Sequence, residues 1–255
     1  MTALSACIIT LNEADRLGAC LDSLAFCDEV VVVDSGSSDG TRELAEARGA
    51  RVLERAWPGF AAQKQFAVEA AQNDWVLCID ADERVTPELA RELEGLVERG
   101  FAGAEVGYDF PRLTCWEGVW IRGGTWYPDR QLRLFDRRKG RWKGGKVHEK
   151  VRLDGPRGHL AGDLLHESYR DLDDHLRTIQ KYTQLGADKL CAKGRRVTFT
   201  DLWLRPLVRF FRFYVLGRGF RFGWRGLSLA FLAAHYVHLK YLRRRIQQEA
   251  EHAGR

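Results

Sequence analysis

Four short apolar runs rich in β-branched residues, each closing on a polar or acidic cluster and each followed by a helical pattern, fill the first hundred residues. This alternation constrains the fold more than any other feature, because βα units in series build a parallel sheet with helices packed on it. Strands are expected near residues 5–10, 29–33, 51–54 and 75–79. Helices are expected over 13–25, 40–48, 60–71 and 87–98, the last opening with Thr86 as N-cap and Pro87 at its first position. In an open α/β sheet the carboxyl ends of the strands converge on one crevice, where ligands bind.

Composition removes several other classes. The 255 residues are 45% hydrophobic and 29% charged, an ordinary globular balance that excludes disorder, collagen and a small disulfide scaffold. The six cysteines form no CxxC pair and lie mostly in apolar runs, so they are expected to be reduced core residues rather than a zinc site. The opening MTALSACIITLNE has no basic segment ahead of its apolar run and is expected to be a strand, not a signal peptide.

The strand ends carry the chemistry. The first closes on Thr10-Leu11-Asn12-Glu13 and the second on Asp34-Ser35-Gly36-Ser37-Ser38-Asp39-Gly40-Thr41. A carboxylate at a strand end, followed by small residues, suits hydrogen bonding to a base or ribose, although Asp39 also suits an ordinary helix N-cap. Neither loop contains GxGxxG or GxxxxGK[ST], which disfavours a dinucleotide or P-loop site. The fourth strand closes on Asp80-Ala81-Asp82-Glu83-Arg84. Three acidic residues so close repel one another unless a cation or hydrogen-bond donors compensate. Such hard oxygen ligands suit Mg²⁺ or Mn²⁺ bridging a diphosphate; a solvated acidic turn with Arg84 as internal partner is the plainer reading.

Taken as an ordered set, TLNE, VVVDSGSSDGT, QKQ at 63–65 and IDADE resemble the family 2 glycosyltransferases of GT-A fold, an α/β architecture with a mostly parallel sheet. The resemblance implies a nucleotide-diphospho-sugar donor, with Thr10, Asn12, Glu13 and Asp34 around base and ribose. Asp80, Ala81 and Asp82 would lie around ribose, diphosphate and metal. Where many relatives carry Ala-Arg-Asn this chain has Gln63-Lys64-Gln65, so Lys64 keeps a cation but not a bidentate fork.

Residues 100–165 are rich in glycine and tryptophan and read as an irregular β region in which an acceptor site would be built. Glycosyl transfer needs a neutralised leaving group, a base for the acceptor hydroxyl and substrates held in line. The base candidates are Asp129, the pair His148-Glu149, Asp163 and the pair His166-Glu167. The segments WYPDRQLRLF (126–135) and KVHE (146–149) resemble bacterial transferases of lipopolysaccharide inner-core assembly, including the type that adds β-linked glucose to heptose. That resemblance implies inverting, metal-dependent transfer from a UDP-sugar, with UDP-glucose favoured, onto a lipid A-core acceptor. Glu149 is then the expected base, with His148 positioning it or touching the acceptor and Asp129 as second choice. A plain ion pair of Glu149 with Lys146 or Lys150 is the structural alternative. His166 is a candidate third metal ligand beside Asp80 and Asp82. A different sugar donor, a polyisoprenyl phosphate or other glycan acceptor, and a non-catalytic sugar-nucleotide-binding protein remain open, although intact Asp80, Asp82 and Glu149 oppose the last.

The whole chain carries a net +5, yet residues 195–225 alone hold eight arginines against Asp201, a net +7. Arg205, Arg209 and Arg212 recur at helical spacing beside apolar and aromatic residues, the pattern of a helix in a membrane interface attracted to anionic lipid. The apolar run 226–239 contains His235 and His238 and falls short of the roughly 20 residues that span a bilayer. The expected organisation is a catalytic domain over 1–194, with a nucleotide-sugar half (1–99) and an acceptor half (100–194), followed by a basic helical segment over 195–255. That segment, reinforced by Lys240, Arg243, Arg244 and Arg245, would attach the protein peripherally to the cytoplasmic face of the inner membrane. Docking on the catalytic domain and a homo-oligomer contact are its alternatives. No nucleic-acid module accompanies the charge, so nucleic acid is not an expected partner.

Overall fold

A computed structural model describes residues 2–144 and 149–253. The N-terminal half alternates β1 (Leu4–Thr10), α1 (Ala14–Asp22), β2 (Glu29–Asp34), α2 (Thr41–Ala47), β3 (Arg51–Glu54), α3 (Phe60–Ala70) and β4 (Trp75–Asp80). It continues through β5 (Glu83–Val85) and α4 (Pro87–Glu98), where the Thr86 side chain accepts from the Leu89 N–H and Pro87 opens the helix as expected. Then come β6 (Gly107–Trp116), β7 (Val119–Trp120), β8 (Asp129–Asp136), β9 (Gly140–Lys143), β10 (Lys150–Leu153), β11 (Arg157–His159) and β12 (Leu164–His166). The main sheet runs β3-β2-β1-β4-β8-β6-β12-β5, its first four strands parallel and β8 antiparallel to both β4 and β6. This is the α/β, GT-A class of architecture that the sequence implies.

The two faces of the sheet follow from the two-residue period of a strand. Leu4, Ala6 and Ile8 of β1 point to one face, where Val32, Leu77 and Ile79 meet Leu17 and Cys20 of α1 and Leu89 and Leu93 of α4. Cys7 and Ile9 point to the other, with Val31, Val33, Val76 and Cys78 under Ala67 and Val68 of α3. Every residue of β1 is buried, as a central parallel strand covered on both faces must be.

The chain divides into two compact units, one of residues 1–113 and 129–166, the other of 114–128 and 167–255. The expected boundary after residue 194 is therefore not where the compact units separate. The second unit holds α5 (Leu172–Ala192), a short α6 (Phe199–Leu202), α7 (Leu204–Phe211), a π turn, a 3-10 turn and α8 (Gly223–Ala253). Its core joins Trp116 and Ile121 to Phe213, Leu229 and Ala230, which ties residues 114–128 to the C-terminal helices. The Gly124 N–H donates to the Gly217 carbonyl at 2.6 Å, an approach that a Cβ at Gly217 would block. Among the described residues, no helix is long and apolar enough to cross a membrane.

Candidate active site

The loops at the carboxyl ends of β1 and β2 are built as one unit. Asp34 is fully buried; its Oδ1 accepts from the Gly36 and Ser37 N–H groups at 2.9 and 2.8 Å, and its other oxygen from the Ser37 hydroxyl. Asn12 takes a left-handed conformation (φ 55°) that asparagine tolerates, and its Oδ1 accepts from the Ser38 N–H at 2.9 Å. The Asn12 N–H donates to the Ser37 hydroxyl and the Glu13 N–H to the Thr41 hydroxyl. Asp39 receives the Ala14 N–H at the start of α1 and the Thr41 N–H at the start of α2. The Thr41 hydroxyl first, and those amides with it, hold the Asp39 carboxyl below its ordinary range. Thr10 closes β1 as a buried residue whose hydroxyl has no hydrogen-bond partner among the described residues.

Beside this cradle runs a chain of alternating charge. Glu149 lies 3.6 Å from the Lys64 ammonium, which lies 2.8 Å from Asp80; Asp80 is 2.8 Å from Arg133, and Arg133 is 2.8 Å from Glu83. Arg112 continues it, 3.3 Å from Glu83 and 2.7 Å from Asp129. Lys64 comes from α3, whose packing on the sheet buries it above the Trp142 ring, 4.9 Å from ammonium to centroid. Pairing of Leu77 with Leu134 brings β8 against β4. β8 contributes Asp129 and Arg133 to this network, with a register shift against β6 falling at Arg133, where the guanidinium reaches Asp80 and Glu83; Gln131 bonds to Asp129, and Arg130 bonds to the buried Asp109 instead.

Burial alone would raise the Asp80 carboxyl, but Arg133 and Lys64 outweigh it and hold Asp80 well below the carboxylate range. Burial would likewise lower Arg133; Asp80 and Glu83 outweigh it and raise it. Both Asp80 oxygens are engaged, one by Lys64 and one by Arg133. Asp82 points elsewhere: its Oδ2 lies 3.5 Å from His166 Nε2 and 3.8 Å from Arg16. His166 reaches it because β12 pairs with β5, His166 standing opposite Glu83. Ala81 between the two aspartates is buried. Asp163 is buried as well, and its carbonyl accepts from the Thr86 hydroxyl.

Most of the residues singled out from the sequence thus meet in the first unit. His148 lies outside the described residues. Lys146, like His148, lies outside the described residues. Among the described residues, Glu149 has the Lys64 ammonium of a distant helix within ion-pair distance, and Arg133 and Arg112 from across the sheet compensate the acidic turn. Sequence reasoning missed Arg133, Arg112 and the complete burial of Glu83. A cavity of about 590 Å³, lined by Asp22, Glu29 and Arg51 among others, opens where β2 begins, at the opposite end from these loops.

A divalent cation fits part of this donor set. A carboxylate and an imidazole 3.5 Å apart can share one ion with bonds near 2.1 Å, and such an ion usually takes its other ligands from phosphate and water. Among the described residues no three His, Cys, Asp or Glu side chains form a ready metal cluster. Each Asp80 oxygen already faces one cation, Lys64 or Arg133.

The sequence model described as glycosyl transferase family 2 matches residues 5–152. The chain belongs to that family and is a glycosyltransferase. It is 38% identical over 244 residues to the lipopolysaccharide core biosynthesis glycosyltransferase LpsC of Rhizobium meliloti (strain 1021), covering 92% of this chain and 89% of that protein. The resemblance to core-assembly transferases expected from the sequence is matched by that relative. An uncharacterized glycosyltransferase of Rickettsia felis is 29% identical over 256 residues, covering 95% and 90% of the two chains. A solved structure of glucosyl-3-phosphoglycerate synthase from Mycobacterium tuberculosis, in complex with Mn²⁺, UDP and phosphoglyceric acid, aligns with TM-score 0.49 and 19% identity over 76% of this chain and 80% of that one.

Proposed function

We propose that the protein is an inverting, metal-dependent transferase that moves a hexose, glucose from UDP-glucose being the favoured case, onto a lipid-linked acceptor of the lipopolysaccharide core type. The observation that carries this reading is the carboxylate of Glu149 beside Lys64 and Asp80, at the carboxyl end of the sheet. Thr10, Asn12, Glu13 and Asp34 receive the base and ribose. Asp34 is fixed by two backbone amides before any ligand arrives, so little ordering accompanies binding. Asp80 holds Lys64 and Arg133 beside the donor diphosphate, where their positive charge favours its departure. Asp82 and His166 would hold Mg²⁺ or Mn²⁺, which when bound supplies Lewis-acid stabilisation of the leaving diphosphate. Glu149 takes the proton from the acceptor hydroxyl as that oxygen attacks the anomeric carbon and the carbon–oxygen bond to the diphosphate breaks. One base and one in-line displacement invert the anomeric centre. Asp129 is the poorer base because Arg112 grips one of its oxygens and Gln131 the other.

The acceptor reading draws on similarity to LpsC and on the second unit's surface. Phe199, Trp203, Leu204, Leu207, Phe211 and Leu216 are each more than half exposed. Among the described residues, Arg212, Arg218 and Arg221 beside them make no ion pair through their side chains. Apolar side chains edged by unpaired arginines suit the interface of an anionic membrane, on the cytoplasmic face of the inner membrane in this reading. The expected contribution of residues 243–245 is revised: Arg243 bonds to Gln184, Arg244 to Glu251 and Arg245 to Glu249.

The test is incorporation of label from UDP-[¹⁴C]glucose into core-truncated lipooligosaccharide by the purified full chain. Label should require Mg²⁺ or Mn²⁺, vanish with EDTA, and fall on the order of 10²–10⁴-fold in Glu149→Gln while UDP binding persists. Full transfer by Glu149→Gln would remove the base assignment, and unchanged transfer by Asp82→Asn would remove the metal assignment.

A further inference from the structure

The second unit contains a cavity that the catalytic account does not use. It encloses about 280 Å³ between α5, α7 and α8, and its walls include Trp126, Tyr169, His175, Tyr182, Arg209 and Tyr236. Space of that size is at the lower end of small-molecule pockets, roughly 300–1,000 Å³, and holds one monosaccharide with a substituent.

The wall chemistry is specific. Tyr169 and His175 stack at 4.1 Å between ring centroids, and Trp126 lies 6.2 and 6.0 Å from them. His175 is buried, and its Nδ1 accepts from the Trp116 indole N–H at 3.0 Å. An indole nitrogen only donates, so the neutral imidazole carries its proton on Nε2, a donor on a ring that lines the cavity. Burial lowers the His175 pKa to about 4 and keeps the ring neutral near pH 7. The cavity therefore offers aromatic faces and hydroxyl and N–H groups, the combination that recognises a sugar ring.

Arg209 adds a charge with no counterpart. Among the described residues its guanidinium makes no ion pair or hydrogen bond. It is half-buried, and its electrostatic neighbours are Arg212, Tyr236 and Lys240, two of them cations and none a carboxylate. A desolvated guanidinium flanked by other cations is stabilised by an anion, and a phosphate matches its planar fork. We propose that this cavity binds a phosphorylated saccharide, with Arg209 on the phosphate and the Trp126, Tyr169 and Tyr236 rings against the sugar. The inference names the acceptor class for the transferase and rests on the reading of a lipid-linked glycan acceptor given above.

The test is calorimetric titration of the full chain with glucosamine 6-phosphate, glucosamine and inorganic phosphate, with UDP binding measured separately. Glucosamine 6-phosphate should bind more tightly than either fragment, and Arg209→Gln should weaken it by about tenfold or more with UDP affinity unchanged. Tyr236→Phe, which keeps the ring, should weaken it by a smaller factor. Equal binding by wild type and Arg209→Gln, or equal binding of inorganic phosphate and the sugar phosphate, overturns the proposal. Displacement of the sugar phosphate by phosphatidylglycerol vesicles assigns the cavity to a lipid headgroup and also overturns it. Loss of UDP binding in the wild type would contradict the donor reading and leave the cavity result intact.

Discussion

Arg133 occupies the position on which the charge network turns, with Asp80 on one side, Glu83 on the other and almost no exposure to water. Removing it leaves two carboxylates near each other without their shared cation, so Arg133→Met should cost about 3–5 kcal/mol of unfolding free energy, measured by urea denaturation. The same geometry sets a pH dependence. The folded Asp80 pKa lies below its ordinary value, so its contribution is complete above about pH 4 and is lost as the pH falls. His175 acts at higher pH. Its pKa drops from 6.5 in water to about 4 through burial, the unfolded chain therefore binds the proton more tightly, and stability declines as pH falls from about 6.5 toward 4. His175→Gln should flatten the dependence of Tm on pH across that window; an unchanged slope would mean that another group governs it. The strand-end residues were readable from the sequence because a parallel sheet gathers its carboxyl ends. Arg133 and Arg112 were not, because their partners are set by the β4–β8 and β6–β8 registers, which no local pattern records.

The four βα units lie within a few residues of the positions expected from hydrophobic period and capping, since each is stabilised by information local to its own stretch. The second unit was less legible. Residues 114–128 join it through Trp116, Ile121 and Trp126, contacts with residues far along the chain. Helix α8 runs 31 residues, well past the apolar run 226–239, because its later turns are polar and are held by α5 through bonds such as Arg243 to Gln184. The exposed side of α7 yields a prediction at this scale. Leu207→Asp with Phe211→Asp replaces two side chains that are each 56% exposed. The pair should lower binding to anionic vesicles by at least about tenfold with little change in unfolding, and raised salt should weaken the wild-type interaction. Vesicle binding equal to wild type would assign that face to another partner.

Across the whole molecule, the modest net charge conceals a division of labour. The first unit holds a charge network around the strand ends, while in the second, among the described residues, Arg212, Arg218 and Arg221 lack acidic partners beside exposed apolar side chains. The family match covers residues 5–152, and similarity to LpsC runs through both units, as expected if the second unit is part of the same activity. The most direct measurement is mass spectrometry of lipooligosaccharide from a strain lacking this chain, complemented with wild type or with Glu149→Gln. Loss of a single hexose from the core, restored by wild type and not by Glu149→Gln, is the predicted result. An unchanged core, or full restoration by Glu149→Gln, would contradict it.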